Sequence, residues 1–287
     1  MAGNIVSVIV PVYKVENFID RCASSLFEQT MCIGVEFIFV DDASPDGSIK
    51  ILQQCLERYP NRVGQVKVLK HDENKGLPAA RNTGLAAATG RYVLHCDSDD
   101  YVEHDMLQQL VLTAEQTGAD VVWCDWFLTF GRNERHMRQP DYDTPIEALK
   151  GMLAGVMKFN VWNKLVRRSL YVDNDISFPA GYGMGEDMTM MLLFACANRV
   201  IYLPKAFYHY VRLNSGAFCN TYSERHLAEL YHNVGDVVNK LFAMLGTGIV
   251  DKEVEYFKQE AKFPFLLSEI KGKYKLWQKW FPESNAY

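Results

Sequence analysis

RYVLHCDSDD, residues 91–100, is an apolar run that ends abruptly in acid. Arg91–Cys96 reads as a strand, and Asp97-Ser98-Asp99-Asp100 follows it directly. The same arrangement stands upstream, where Val35–Val40 ends in Asp41 and Asp42. Ile5–Tyr13 is apolar and β-branched throughout, as suits a central strand of a parallel sheet with both faces covered. Val66–Leu69 and Val121–Phe127 complete five strands. Helical spacing fills the intervals. Glu16–Gln29 carries Phe18, Ile19, Cys22, Leu26 and Phe27 on one side, and Ser44-Pro45-Asp46-Gly47 marks a turn leading into a helix over Ile49–Tyr59. Leu77–Ala88 is an Ala-rich helix and Met106–Gln116 another. Strand and helix alternate, so the fold class is α/β with a mostly parallel, Rossmann-like sheet flanked by helices. Ligands of such sheets bind beyond the carboxyl ends of the strands, and both acidic clusters fall there.

From about Gly131 the alternation breaks. Gly131–Thr144 is polar and charged and reads as a loop, followed by a short helix over Pro145–Met157. The glycine-rich stretch Pro179–Gly185 is expected to be mobile and feeds an apolar helix, Met188–Ala197. Strands are expected near Val200–Leu203 and Tyr208–Arg212, and helix from Ser223 onward. This divides the chain into an α/β unit, residues 1–215, and a helical C-terminal extension, residues 216–287. There is no internal repeat.

The 287 residues, 48% of them hydrophobic, suffice for one packed core with a smaller appended unit. A net charge of -5 gives no basis for nucleic-acid binding. Seven cysteines, an odd count with no CxxC pair, fit a reducing compartment better than a disulfide framework. The N-terminal MAGNIVSVIVPVYK lacks a basic n-region, and its apolar run is interrupted by Pro11 and Lys14. It reads as a buried strand, and the expected location is cytoplasmic.

Five constellations could carry chemistry, and each has a plainer reading beside it. Three carboxylates within Asp97–Asp100 repel one another, and a divalent cation would offset that repulsion. Mg²⁺ and Mn²⁺ take oxygen ligands, often one or two carboxylates plus substrate phosphates. The alternative is a solvated acidic turn. Asp42 could accept a hydrogen bond from a base or ribose, or serve with Ser44 and Asp46 in capping the next helix. Arg81 could bind a diphosphate or fix a carboxylate, or lie on the surface of an amphipathic helix. Glu186-Asp187 could supply the base that a hydroxyl nucleophile needs, or be acids favoured by a helix N-terminus. His209 and Arg212 could meet a metal and phosphates, although a histidine between two tyrosines is more often a packed residue.

Taken in order, these pieces resemble the family-2 glycosyltransferases, which have the GT-A fold. The matching stretches are Val8–Tyr13, Val40–Ser48, Asn74-Lys75-Gly76 with Ala80–Gly84, Asp97–Asp100, Trp162-Asn163-Lys164 and Glu186-Asp187. The resemblance covers about the first two-thirds of the chain, and its specificity lies in the order of six individually weak motifs. It implies a nucleotide-sugar donor, commonly a UDP-sugar, with Pro11, Val12 and Tyr13 lining the nucleobase pocket and Asp42 reading the base. Arg81 would sit near the nucleotide-sugar, Asp97 and Ser98 on its ribose or sugar side, and Asp99 on a Mn or Mg ion. Asp187 would be the catalytic base, with Glu186 its neighbour. The acceptor-side part would start at about residue 130, with Trp162 and Lys164, and His209 and Arg212 as supporting residues. The resemblance does not strengthen the functional reading of Ser44 or His209.

Ala43 and Pro45 stand where the family often has Gly and Thr, a departure that a turn is expected to tolerate. The processive signature QxxRW is absent, so the implied reaction is transfer of one sugar, with inversion, to a glycan or lipid-linked acceptor in cell-surface glycan synthesis. The tail Lys271–Phe281 mixes lysine with aromatics; it reads either as a peripheral contact with the inner face of a membrane or as a packed terminal helix with a solvated lysine face. A nucleotidyltransferase and a non-catalytic nucleotide-sugar-binding protein are the competing readings.

Overall fold

The computed structural model describes residues 3–212, 224–267 and 272–286. The alternating half is as expected: β1 (Val6–Val12), α1 (Ile19–Phe27), β2 (Val35–Asp41), α2 (Ser48–Glu57), β3 (Val66–Lys70), α3 (Leu77–Ala87) and β4 (Tyr92–His95). A two-residue β5 (Tyr101–Val102) and α4 (Met106–Thr117) lead into a long β6 (Val121–Phe130). Every residue of β1, β2 and β4 is buried, which explains why these strands read as unbroken apolar runs. Helix α3 lies close on the sheet, since a Cβ at Gly84 would stand 2.4 Å from Ile9 Cγ2.

The later elements are β7 (Asn133–Met137), α5 (Pro145–Leu153), β8 (Lys164–Arg167), α6 (Arg168–Asp173), α7 (Thr189–Cys196), β9 (Val200–Val211), α8 (Glu224–Leu245), α9 (Asp251–Leu267) and α10 (Lys273–Lys279). The strand order is β3-β2-β1-β4-β8-β6-β9-β5, with β7 paired to β6 off this path. Pairing is parallel across β3-β2-β1-β4 and between β6 and β9. It is antiparallel at β4–β8, β6–β8, β6–β7 and β5–β9.

Two expectations need correction. Part of Gly131–Thr144 is strand β7, not loop. Its residues are mostly exposed, so no apolar alternation marks it; pairing with β6 and the His136–Asp125 contact at 2.8 Å hold it instead. The two short strands expected after Val200 are one strand, β9. The apparent gap falls at an irregularity, where the partner of Cys124 is Leu203 and that of Asp125 is Ala206.

The expected boundary at 215/216 lies outside the described residues, as do Cys219 and Lys271. Helix α8 packs on α7, and α9 on α5. Part of the described tail, residues 272–281, packs back on the chain. The Lys262 ammonium is buried beneath the Trp277 ring at 4.3 Å and donates to Phe281 O, Ser284 Oγ and Asn285 Oδ1. Gly272 precedes α10 in the left-handed conformation, with φ +81. Among the described residues no helix is long and apolar enough to cross a membrane.

At the amino ends of the strands, Glu36 joins several elements. Its carboxylate accepts from Ser7 Oγ, Lys67 Nζ and both Thr89 N and Oγ1, at 2.6–2.7 Å. Burial alone would raise this carboxyl, but the four donors outweigh it and hold it at about 2. Replacing Glu36 with Ala leaves buried donors short of an acceptor and should cost roughly 2 kcal/mol at pH 7 in urea unfolding. A carboxyl depressed in the folded state contributes stability above its unfolded value of 4.5 and loses it as pH falls towards about 2. The gap between wild type and Glu36→Ala should therefore narrow across that window; a constant gap would contradict this role.

Candidate active site

The carboxyl ends of β1, β2 and β4 carry the residues singled out from the sequence. Pro11 and Val12 are buried within β1, and Tyr13, just beyond its end, is exposed. Ala43 has φ +54, so the residue standing for the family's frequent glycine is held in the left-handed region. Such a conformation costs a non-glycine residue about 1 kcal/mol. Ser44 ties the loops together by accepting from Lys14 N at 2.8 Å and donating to Asp46 at 2.7 Å. The Asp42 carboxylate is largely taken up by the chain. It accepts from Lys75 N at 2.8 Å and Gly76 N at 2.9 Å, and lies 2.7 Å from His71 Nδ1. Any contact with a base would share a carboxylate already holding the loop before α3. His71 was not legible in the sequence, since nothing local links it to Asp42.

The acids after β4 divide into two kinds. Asp100 is buried, accepting from Tyr208 Oη and Val211 N at 2.7 Å. Burial, then the charges of Asp99 and Asp97, push its carboxyl well above the usual range. Asp97 and Asp99 are partly exposed, and Ser98 between them is buried. The loop is fixed from behind: Asp97 N donates to Tyr208 Oη at 3.0 Å, and Arg21 Nη2 to Asp99 O at 3.1 Å. Tyr208, absent from the sequence-based candidates, is thus central to the loop. Its place in a Tyr-His-Tyr strand gave no sign of this.

Arg81 is not a surface residue. It is 1% exposed on α3, and its guanidinium meets three carboxylates. Nη2 lies 3.0 Å from Asp97 Oδ1, 3.6 Å from Glu186 Oε1 and 3.9 Å from Asp187 Oδ1. Its Nε and Nη1, and Asp187 Oδ1, are buried without hydrogen-bond partners. Glu186 and Asp187 lie in a 3-10 turn after Gly185, which has φ +84. One cation cannot neutralise three acids. Burial and the Asp187 charge hold Glu186 well above its ordinary value against the pull of Arg81. Asp187 is raised by burial and by Asp97, pulled back by Arg81 and Lys164, and stands at about 6.

Other candidates support this centre or lie apart from it. Trp162, 4% exposed, stacks on Tyr208 at 4.3 Å and Tyr210 at 5.6 Å. Lys164 is fully buried, and its ammonium donates to Lys158 O, Asn160 O and Asn163 Oδ1 at 2.8–2.9 Å. Burial lowers it to about 7 despite the nearby Asp187. Both residues are buried and held by these internal contacts. His209 lies between Glu103 and Glu134, at 2.9 and 2.8 Å, and stacks on Tyr101, so both ring nitrogens are engaged. Arg212 is exposed at the end of β9, bonded to Thr129 O through its backbone. Among the described residues no three His, Cys, Asp or Glu side chains are grouped to hold a metal by themselves.

Sequence comparison matches residues 7–178 to the family described as Glycosyl transferase family 2. The glycosyltransferase EpsJ of Bacillus subtilis is 35% identical over 215 residues, 72% of this chain and 60% of its own length. The poly(ribitol-phosphate) beta-N-acetylglucosaminyltransferase TarS of Staphylococcus aureus is 30% identical over 213 residues, 73% of this chain and 36% of its own. The chain therefore spans less than two thirds of the length of these relatives. Among solved structures, TarS 1–349 in complex with UDP-GlcNAc has a TM-score of 0.76 at 22% identity, over 98% of this chain and 83% of that one. The mannosyltransferase PcManGT of Pyrobaculum calidifontis, in complex with GDP-Man and Mn²⁺, has a TM-score of 0.60 at 17% identity, over 99% and 85%. The GT-A fold expected from the resemblance is the fold observed. A profile match over residues 7–178 and a 35% identical relative agree that this chain belongs to glycosyl transferase family 2.

Proposed function

We propose that the chain transfers one sugar from a UDP-sugar to an acceptor hydroxyl with inversion, using a divalent cation, in cell-surface glycan synthesis. The observation that carries this reading is Asp187, a partly exposed carboxylate at about 6 whose Oδ1 accepts no hydrogen bond, held with Asp97 around one guanidinium. A general base works best near the operating pH. Asp187 takes the proton of the acceptor hydroxyl. The acceptor oxygen then forms a bond to the anomeric carbon as the bond from that carbon to the diphosphate breaks. Tyr13 would face the nucleobase, Asp97 and Ser98 the ribose or sugar, and Arg81 fixes the base relative to Asp97. TarS supports the donor and the stereochemistry, because a beta product from UDP-GlcNAc, an α-linked donor, means inversion.

The oxygen donors present suit Mg²⁺ or Mn²⁺, which needs only one or two carboxylates beside substrate phosphates. Asp99, with Asp97, would hold the ion; Asp100 is bonded inward and His209 is engaged on both sides. When bound, the ion supplies positive charge against the departing diphosphate. A cytoplasmic location accords with six free cysteines among the described residues. A peripheral membrane contact would use the exposed Tyr274, Lys275 and Lys279. The acceptor of this reading is a glycan or a lipid-linked sugar.

The test is nucleoside diphosphate release from a panel of nucleotide-sugars, with and without Mn²⁺. Metal-dependent release from one UDP-sugar is expected, and Asp99→Ala should reduce it at least tenfold. Pyrophosphate release instead would assign a nucleotidyltransferase. Turnover should fall as pH drops through about 6, where Asp187 protonates, and Asp187→Asn should lower it by a factor of order 10² to 10⁴ while still binding UDP. A carboxyl raised in the folded state contributes stability at low pH that is lost as pH rises through about 6. Asp187→Asn, which mimics the protonated acid, should thus be about 3 kcal/mol more stable than wild type at pH 7.5, a gap that closes as pH falls to the unfolded value of 3.8 and below. A destabilised variant at pH 7.5 would count against the raised carboxyl.

A further inference from the structure

The stretch that delivers Glu186 and Asp187 is Gly181-Tyr182-Gly183-Met184-Gly185, with Gly181 at φ +87 and Gly185 at φ +84. A segment this rich in glycine has little side-chain packing to hold it, and the sequence suggested mobility. Its backbone is instead held by α8. Gly183 N and Met184 N both donate to Glu229 Oε2, at 3.1 and 3.3 Å. Asn233 Nδ2 donates to Tyr182 O at 3.1 Å and Met184 O at 2.8 Å. The Tyr182 ring stacks on His232 at 3.9 Å. Glu229, His232 and Asn233 are three and four residues apart, so they share one face of the helix.

Glu229 and Asn233 are themselves fixed. Glu229 is 6% exposed and its other oxygen accepts from Arg225 Nε at 2.7 Å; Asn233 is 2% exposed. Two side chains thereby satisfy four backbone groups within three consecutive residues. The family match ends at residue 178, before both Asp187 and α8.

We infer that Glu229 and Asn233 are positioning residues for Asp187, so that the helical extension is part of the catalytic apparatus. This rests on Asp187 being the base. Both side chains act through the backbone of residues 182–184, and neither is bonded to Asp97, Asp99 or Asp187. Tyr182 is exposed and Gly183 and Met184 are half-buried, so water can reach the freed backbone groups, and the fold outlasts the loss while the placement of Asp187 does not. An error of about 1 Å in a reacting group can cost on the order of 10²-fold in rate.

The experiment compares Glu229→Ala, Glu229→Gln, Asn233→Asp and Asp187→Asn in the full chain. Asn233→Asp keeps the side-chain size and removes both donors, and Glu229→Gln keeps an acceptor oxygen. UDP-sugar hydrolysis, with water in place of the acceptor, should fall about 10- to 100-fold in kcat for Glu229→Ala and Asn233→Asp. Glu229→Gln should stay within about threefold, and the Kd of UDP with Mn²⁺ within about twofold in all. Independently of turnover, hydrogen exchange at Gly183 and Met184 should quicken at least tenfold in Glu229→Ala and Asn233→Asp, with the β1–β2 amides unchanged. Wild-type kcat or unchanged exchange in these two variants, with Asp187→Asn inactive, overturns the positioning role alone. So does an equal loss of UDP binding. An active Asp187→Asn overturns the assignment of the base instead.

Discussion

One guanidinium serves three carboxylates, and the site depends on that imbalance. Arg81 reaches Asp97, Glu186 and Asp187 with a single nitrogen, from a helix lying on the parallel strands. A buried arginine with no acid beside it would be costly, and so would the buried Glu186 beside two half-buried acids without a cation. Together they form a cluster with unmet charge, and the deficit settles on the two acids of the 3-10 turn. Burial, with the Asp97 charge added to it, keeps Asp187 near 6 against the pull of Arg81. Charge thus links α3, the turn after β4 and the turn before α7, three places well separated in sequence.

The acids after β4 are sorted by a second device. The Tyr208 hydroxyl accepts from the Asp97 backbone and donates to the Asp100 carboxylate, so one group sets the loop and turns one acid inward. Trp162 stacks on that tyrosine, and Lys164 secures the carbonyls just before the tryptophan. Residues that resemble ligands by type are therefore one layer further out. They determine where Asp97 and Asp99 stand without needing to touch a substrate.

The sequence made legible whatever is local. β1, β2 and β4 are apolar because both faces are covered, and their ends are marked by acid, so the sheet and the place of the site could be read directly. Strand β7 could not, because its pairing depends on backbone bonds and on Asp125 rather than on its own pattern. Nor could the direction of a side chain be read within DSDD, where no periodicity distinguishes Asp99 from the buried Asp100. The sequence allowed Arg81 to fix a carboxylate but could not say which, because its partners lie up to 106 residues downstream, at Asp187. The bonds of Asp42 to Lys75 and Gly76, and of Glu229 to Gly183 and Met184, were hidden in the same way.

The bonds that turn Asp100 inward have a bearing on how the chain is made. They join residues 108 and 111 positions apart, to Tyr208 and Val211. During synthesis the parallel strands β1 to β4 can pair as soon as they emerge, and Arg21 and Arg81 can already meet Asp99 O and Asp97, but the Asp100 carboxylate has neither of its two partners until β9 has been translated. Contacts of such separation form late, because loop closure must be met before they contribute. A nascent chain therefore carries a nearly complete sheet with an unset acidic loop, and that loop can take its final form only once the chain has grown past Val211.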